Sequence, residues 1–251
     1  MSLMENYWLH EFLKAIILYG SAYFLGLWVQ KCGIRVNYTR KIFHFILFFS
    51  TLFLAHHLPF QISTTTTLTS GIIFLLWIGT FSHALRSRSG FLSTAYAAID
   101  RPEDRPFTLL WLSTQILATY LVIVLVAVWL ARYGKQPLIY IAVLVAGIGD
   151  GLAEPVGVRF GKRKYRVKAL FTDRIYTRTL EGSACVFLSA IIAVALLRQH
   201  LTDLQFLLAL GIVPLATTLA EALSPHTWDA PLLYLVGGIS LIGVLELSAL
   251  V

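Results

Sequence analysis

Apolar residues run along this chain in long blocks, each closed by a short polar or charged connection. Blocks long enough to carry a helix across a bilayer's hydrocarbon core stand at roughly 9–30, 42–60, 67–85, 108–131, 137–159, 180–199, 204–223 and 229–249. Glu11 and Lys14 interrupt the start of the first. The pattern predicts an all-α, polytopic integral membrane helical bundle of about eight transmembrane helices, with 1–251 as a single domain. Two connections are longer than the rest. Residues 86–107 hold Arg-Ser-Arg-Ser, an amphipathic piece, and then Asp-Arg-Pro-Glu-Asp-Arg-Pro, whose prolines predict an irregular, interfacial course. Residues 160–179 read as a basic loop.

Composition agrees. Of 251 residues, 57% are hydrophobic and 13% charged, with a net charge of +7. A soluble domain carries about 25% charged residues, so a soluble enzyme is excluded. In a membrane protein the positive excess reflects topology and anionic lipid headgroups before nucleic acid, and no nucleic-acid partner is expected. Cys32 and Cys185 supply neither a disulfide framework nor metal-ligand spacing. The first span has no small-residue cleavage site and reads as retained. The absence of targeting elements fits a bacterial cytoplasmic membrane.

Charge then sets an orientation. With the N-terminus outside, the inner connections hold Lys31, Arg35, Arg40, Lys41, Arg86, Arg88, Arg101, Arg105, Arg159, Lys162, Arg163, Lys164, Arg166, Lys168, Arg174 and Arg178. The outer side keeps only Lys14, Arg132, Lys135 and Arg198. Sixteen against four is a clear positive-inside split.

That orientation gathers the unusual residues on the cytoplasmic face. Asp150 and Glu154 lie towards the inner end of span five, Glu181 at the start of span six, Glu221 at the end of span seven, and Asp229 at the start of span eight. Arg40, Lys41 and His44 open span two on the same side. Intramembrane acids are costly and mark functional sites by default. Asp150 and Glu154, four apart, share a helix face and repel, which a cation relieves. Mg²⁺ takes one or two carboxylates and completes its shell with phosphates, so Asp150, Glu154 and Glu181 are the expected metal ligands. Salt bridging to nearby arginines is the structural alternative.

Between those acids come eight cations in twenty residues, from Arg159 to Arg178. They exceed what topology requires and suit a polyphosphate, although the chain has no Walker A run. Glu221 and Asp229 could complete a metal shell or activate a hydroxyl. The run Gly147, Gly149, Gly151 and Gly157 permits close helix approach, and Pro155 permits a kink.

Gly149-Asp150 through Gly161-Lys162, followed by Arg178-Thr-Leu-Glu181-Gly182-Ser183, resembles the superfamily of CTP-dependent lipid-alcohol kinases and phosphatidate cytidylyltransferases. The kinase branch includes dolichol, phytol, farnesol and fungal-type diacylglycerol kinases. Arg40-Lys41-x-x-His44 and Glu221-Ala-Leu-Ser resemble further kinase elements, although Asp229-Ala230 stands where kinases commonly have Asp-Asn. The cytidylyltransferase branch has Ser-Pro-Lys-Lys-Thr before Glu-Gly and a late Lys-Asp and His-Gly-Gly element. This chain has Tyr-Thr-Arg-Thr before Leu180-Glu181 and no such late element, which favours the kinases.

The resemblance implies Mg²⁺-dependent transfer of the CTP γ-phosphate to a long-chain membrane lipid alcohol: a polyprenol, phytol, farnesol or diacylglycerol. Asp150, Glu181, Asp229, Glu221 and His44 are the expected catalytic residues. Arg159, Gly161, Lys162, Lys164, Arg178, Gly182, Arg40 and Lys41 are the expected nucleotide contacts. A cytidylyltransferase making CDP-diacylglycerol is the alternative, and a cation-coupled transporter of an anion is a third reading. Transport chemistry would place the acids near the midplane, whereas these cluster at one face. A homo-oligomer is compatible with the sequence.

Overall fold

Each of the eight apolar blocks forms a helix, although the first two start six residues earlier and the third ends six residues sooner than the pattern predicts. In the computed structural model, which describes residues 3–250, the first three are α1 (Leu3–Cys32), α2 (Val36–His57) and α3 (Thr64–Gly79). Short helices α4 (His83–Arg86) and α5 (Gly90–Ala97) lead to α6 (Thr108–Arg132). The fifth block is α7 (Ile139–Leu144), a π-helical turn over Val145–Gly149, and α8 (Asp150–Phe160). Strands β1 (Lys164–Lys168) and β2 (Ile175–Thr179) precede α9 (Leu180–Leu196), α10 (Asp203–Leu223) and α11 (Asp229–Ala249).

Five of the described helices are long and apolar enough to cross a bilayer: Met4–Cys32, Thr108–Arg132, Gln136–Phe160, Asp203–Leu223 and Asp229–Ala249. The other three of the eight fall short. α3 and α9 are apolar but only 16 and 17 residues long, and α2 carries Arg40 and Lys41 in its second turn. The chain is nonetheless an all-α helical membrane protein.

The residues form two compact units, Met1–Leu117 and Ala118–Val251. In the first, the charges that interrupt α1 are buried against protein. Lys14 Nζ lies 2.6 Å from Glu11 Oε2, both side chains under a tenth exposed, and Ser70 donates to Glu11 Oε1 at 2.8 Å. A span accommodates two ionised groups when each satisfies the other away from lipid. The 86–107 connection is more ordered than its prolines predict. Its repeated Asp-Arg-Pro folds back into crossed ion pairs, Arg105 with Asp100 at 2.7 Å and Arg101 with Asp104 at 2.6 Å. Thr108 Oγ1 donates to Asp100 Oδ1 at 2.8 Å.

In the second unit the core is small and aliphatic: Val126 and Leu130 of α6, Ile141 of α7, Val186 and Val194 of α9, Val213 of α10, and Leu233 and Leu241 of α11 are fully buried. The basic connection is not a loop. β1 and β2 pair antiparallel, from Lys164↔Thr179 to Lys168↔Ile175. The physical reason is a period-two alternation hidden within the charge run. Lys164, Arg166 and Lys168 are exposed, whereas Tyr165 is partly buried and Val167 buried. Opposite them Tyr176 and Arg178 turn to the inner face. A cationic outer face and an amphipathic inner face result.

Candidate functional site

The hairpin's inner face delivers Arg178 into the helical unit. Its Nη1 donates to Glu221 Oε1 at 2.9 Å and to Ser224 Oγ at 3.0 Å, and it also bonds the Glu221 carbonyl. Nη2 lies 3.6 Å from Asp229 Oδ2 and donates to the Pro225 carbonyl at 3.5 Å. Burial alone would push the guanidinium down. Asp229 and Glu221, with Tyr165 and Asp150, more than offset this and hold it above its ordinary value. Glu221 and Asp229, on the consecutive helices α10 and α11, and Asp150, far earlier on α8, therefore act on one cation.

Glu221 is held from its other oxygen as well. Ser183 Oγ, in the first turns of α9, donates to Oε2 at 2.8 Å, and Tyr165 OH approaches Ser183 Oγ at 2.7 Å and Oε2 at 3.5 Å. Burial pushes the Tyr165 phenol up, so it remains a neutral hydrogen-bonding group. The turn after α10 is anchored to the hairpin, because His226 N donates to the Lys168 carbonyl at 2.8 Å and its ring stacks on Tyr176 with centroids 3.5 Å apart.

Asp150 owes its place to a backbone irregularity. The π-helical turn over Val145–Gly149 ends immediately before it, and such turns reset the face that following side chains present. Asp150 is 7% exposed. Thr179 caps α9, accepting from Gly182 N at 3.2 Å. Two expected nucleotide contacts, Gly161 and Gly182, sit at close backbone approaches. A Cβ on Gly161 would lie 2.3 Å from the Gly157 carbonyl oxygen, and one on Gly182 would lie 2.6 Å from that of Ala153. Both glycines are required by packing between α8, the hairpin and α9.

Among the described residues no three His, Cys, Asp or Glu side chains converge as a metal-ligand set, so Asp150, Glu154 and Glu181 do not form the expected trio. Glu181 turns back and accepts from Arg163 N at 3.3 and 3.4 Å, a consequence of α9 starting directly from β2. Glu154 stands one turn along α8 from Asp150, partly buried. Arg159, Lys162 and Lys164 are exposed. Arg40, Lys41 and His44 belong to α2 of the first unit.

Tyr165, Ser183 and Ser224 stand inside runs that the sequence singles out, but none of the three has a role of its own there. The signal for Ser183 was its spacing: it lies in the turn after Glu181, on a helix capped by Thr179. Asp150, Glu221 and Asp229 together outnumber the positive charge on Arg178. Both Glu221 oxygens are already engaged, by Arg178 and Ser183, and among the described residues these three acids do not converge as a metal-ligand set either.

Compared with protein-family models, curated proteins and solved structures, the chain finds no match.

Proposed function

We propose that the second unit is a phosphotransferase that moves the γ-phosphate of CTP to the hydroxyl of a long-chain membrane lipid alcohol. The observation that carries this reading is buried Arg178 held by Glu221 and Asp229, with Asp150 of α8 within its electrostatic reach. Arg178 stands in the hairpin whose outer face presents Lys164, Arg166 and Lys168. Phosphoryl transfer asks a protein for positioning and charge stabilisation rather than covalent chemistry, and this arrangement offers both. CTP as donor comes from the resemblance of Gly149–Ser183 to the lipid-alcohol kinases.

Asp150, with Glu154 one turn along α8, would hold Mg²⁺, whose chemistry when bound is to neutralise phosphate charge. The exposed cations of the hairpin and Lys162 attract the polyphosphate. Arg178, saturated by Glu221 and Ser224, positions rather than transfers. Asp229 is held by Arg178 at 3.6 Å and is more exposed than Glu221, so it takes the proton from the lipid hydroxyl. The positive-inside split of the eight-block reading supports a cytoplasmic position for this face, where nucleotide is available.

Purified protein in bilayers, given Mg²⁺, γ-labelled CTP and a panel of phytol, farnesol, polyprenol and diacylglycerol, should yield a labelled lipid phosphate. Asp150→Asn should yield none while unfolding at the wild-type temperature. Pyrophosphate release with phosphatidate and no labelled alcohol would identify a cytidylyltransferase instead. Full turnover in Asp150→Asn would remove Asp150 from the site.

A further inference from the structure

The hairpin lies across the ends of the helices of the second unit rather than standing off them. At its base β2 runs straight into α9, Thr179 being both the last strand residue and the helix cap. At its far end His226 N donates to the Lys168 carbonyl at 2.8 Å, and Ala169 bridges His226 in parallel register. Between these points Tyr165 meets Ser183 of α9, and Arg178 reaches Glu221 of α10. Both ends of the hairpin are therefore held at the level where α9 begins and α10 gives way to α11. The far end adjoins a lipid-facing surface. α10 is one of the spans and keeps Leu219 and Leu223 exposed up to its last residue, and His226 follows in the next turn of chain.

Beyond the Lys168↔Ile175 pair the chain turns back on itself, closed by Ala169 N donating to the Arg174 carbonyl at 3.0 Å. The side chains there are not those of a solvated turn. Phe171 is 65% exposed and Ile175 57%. Phe171 also has a left-handed backbone, φ +63°, a conformation that suits glycine or asparagine and strains a bulky residue. With most of its ring exposed, Phe171 returns little burial to offset that strain, and such outliers cluster where a fold holds a ligand or partner. Lys168 and Arg174 flank the turn, both exposed. Asp173 is the one acid between Arg159 and Arg178, against eight cations.

We infer that the hairpin tip docks on the anionic leaflet of the membrane that holds the protein. Phe171 inserts among the headgroups, where aromatic rings are favoured, and Lys168 and Arg174 lie against lipid phosphates. An apolar wedge in a cationic collar is complementary to a surface that carries negative phosphates over hydrocarbon. A soluble acidic partner would meet the cations but not the wedge, and lipid already adjoins the tip. Docking fixes the hairpin from its free end, and with it Arg178 between Glu221 and Asp229. It needs no nucleotide and is independent of the phosphotransferase reading.

The test is photocrosslinking of the full-length protein in bilayers without nucleotide, with p-benzoylphenylalanine in place of Phe171 and adducts identified by mass spectrometry. In phosphatidylcholine containing phosphatidylglycerol, this position should give a lipid adduct. The same group in place of Thr177, exposed on the outer face of the hairpin, should give little. Lys168→Gln should lower the lipid adduct about fivefold, the usual worth of one cation near an anionic surface. Adding Arg174→Gln should bring the loss to about twentyfold on the same basis. Phosphatidylcholine alone should lower the adduct at least as far. Equal lipid adducts from the two positions would overturn the docking, as would crosslinks from position 171 to protein alone. A yield unchanged by removing phosphatidylglycerol would overturn the charge complementarity. The Thr177 comparison and the lipid exchange decide the matter even if the Arg174→Gln variant fails to fold.

Discussion

Arg178, near the end of a two-stranded hairpin, reaches Glu221, near the end of a membrane helix forty-three residues later, with an N–O distance of 2.9 Å. The two side chains are 12% and 5% exposed. This pair ties the hairpin to the helical core and orders the carboxylates around it.

Truncating one partner of such a pair strands the other. Arg178→Ala should destabilise the protein by about 3 kcal/mol, the usual cost of leaving a buried charge uncompensated. Arg178→Lys should cost less, because it keeps the charge but loses the forked contact with Ser224 and Asp229. Thermal unfolding in detergent, followed by tryptophan fluorescence, measures both. Equal stability of Arg178→Ala and wild type would show that the contact does not hold the hairpin.

Close packing of α8 on the hairpin makes a sharper contrast. Gly161→Ala would place a methyl 2.3 Å from the Gly157 carbonyl oxygen and 2.4 Å from Thr179 Cγ2, and should cost about 1–3 kcal/mol through overpacking. Gly211→Ala, in the middle of α10, meets nothing within 4 Å and should gain up to about 1 kcal/mol from helix propensity. Unfolding midpoints that move in opposite directions would bear this out; a shared direction would count against it.

The outer face of the hairpin should matter to nucleotide capture rather than to folding. Replacing Lys164, Arg166 and Lys168 together by Gln should raise the KM for CTP about tenfold through lost electrostatic focusing. The change in kcat should be small and the unfolding midpoint unaltered, since all three side chains are exposed. Initial rates across a salt series test this, because added salt should narrow the gap between variant and wild type. A KM equal to that of wild type at low salt would rule the face out.

The buried pair in α1 gives a double-mutant test. Lys14→Leu alone should destabilise by about 3–5 kcal/mol, because Glu11 is left buried without its cation. Glu11→Leu with Lys14→Leu should recover most of that loss, as an apolar pair of similar volume is tolerated there. If the double variant were as unstable as the single one, Ser70 and His10, which lie 2.8 and 3.4 Å from Glu11 Oε1, would be the partners that matter to Glu11 rather than Lys14.

Much of this architecture was legible in the chain itself. Block length and apolar content located eight helices closely, since a bilayer imposes one length on every span. Their number as membrane crossings was less legible. Whether α2, α3 and α9 cross depends on how charge and length are compensated by neighbours, which one-dimensional hydropathy does not contain. Likewise the positive run from Arg159 to Arg178 masked a strand period, because Lys164, Arg166 and Lys168 fall on every second position and dominate any reading by charge.

At the site, sequence alone marked Asp150, Glu221 and Asp229 as unusual, because ionisable residues in apolar helices are costly wherever they stand, and Arg178 only as one of a dense run of cations. It could not say which of them meet. Helix periodicity paired Asp150 with Glu154 because they are four residues apart. Tertiary structure set Arg178 between Glu221 and Asp229, brought Asp150 within its electrostatic reach, and turned Glu181 away to a backbone N–H. That choice rests on the hairpin register and the packing of α8 against α9. Both are properties of contacts between distant segments, and no local pattern encodes them.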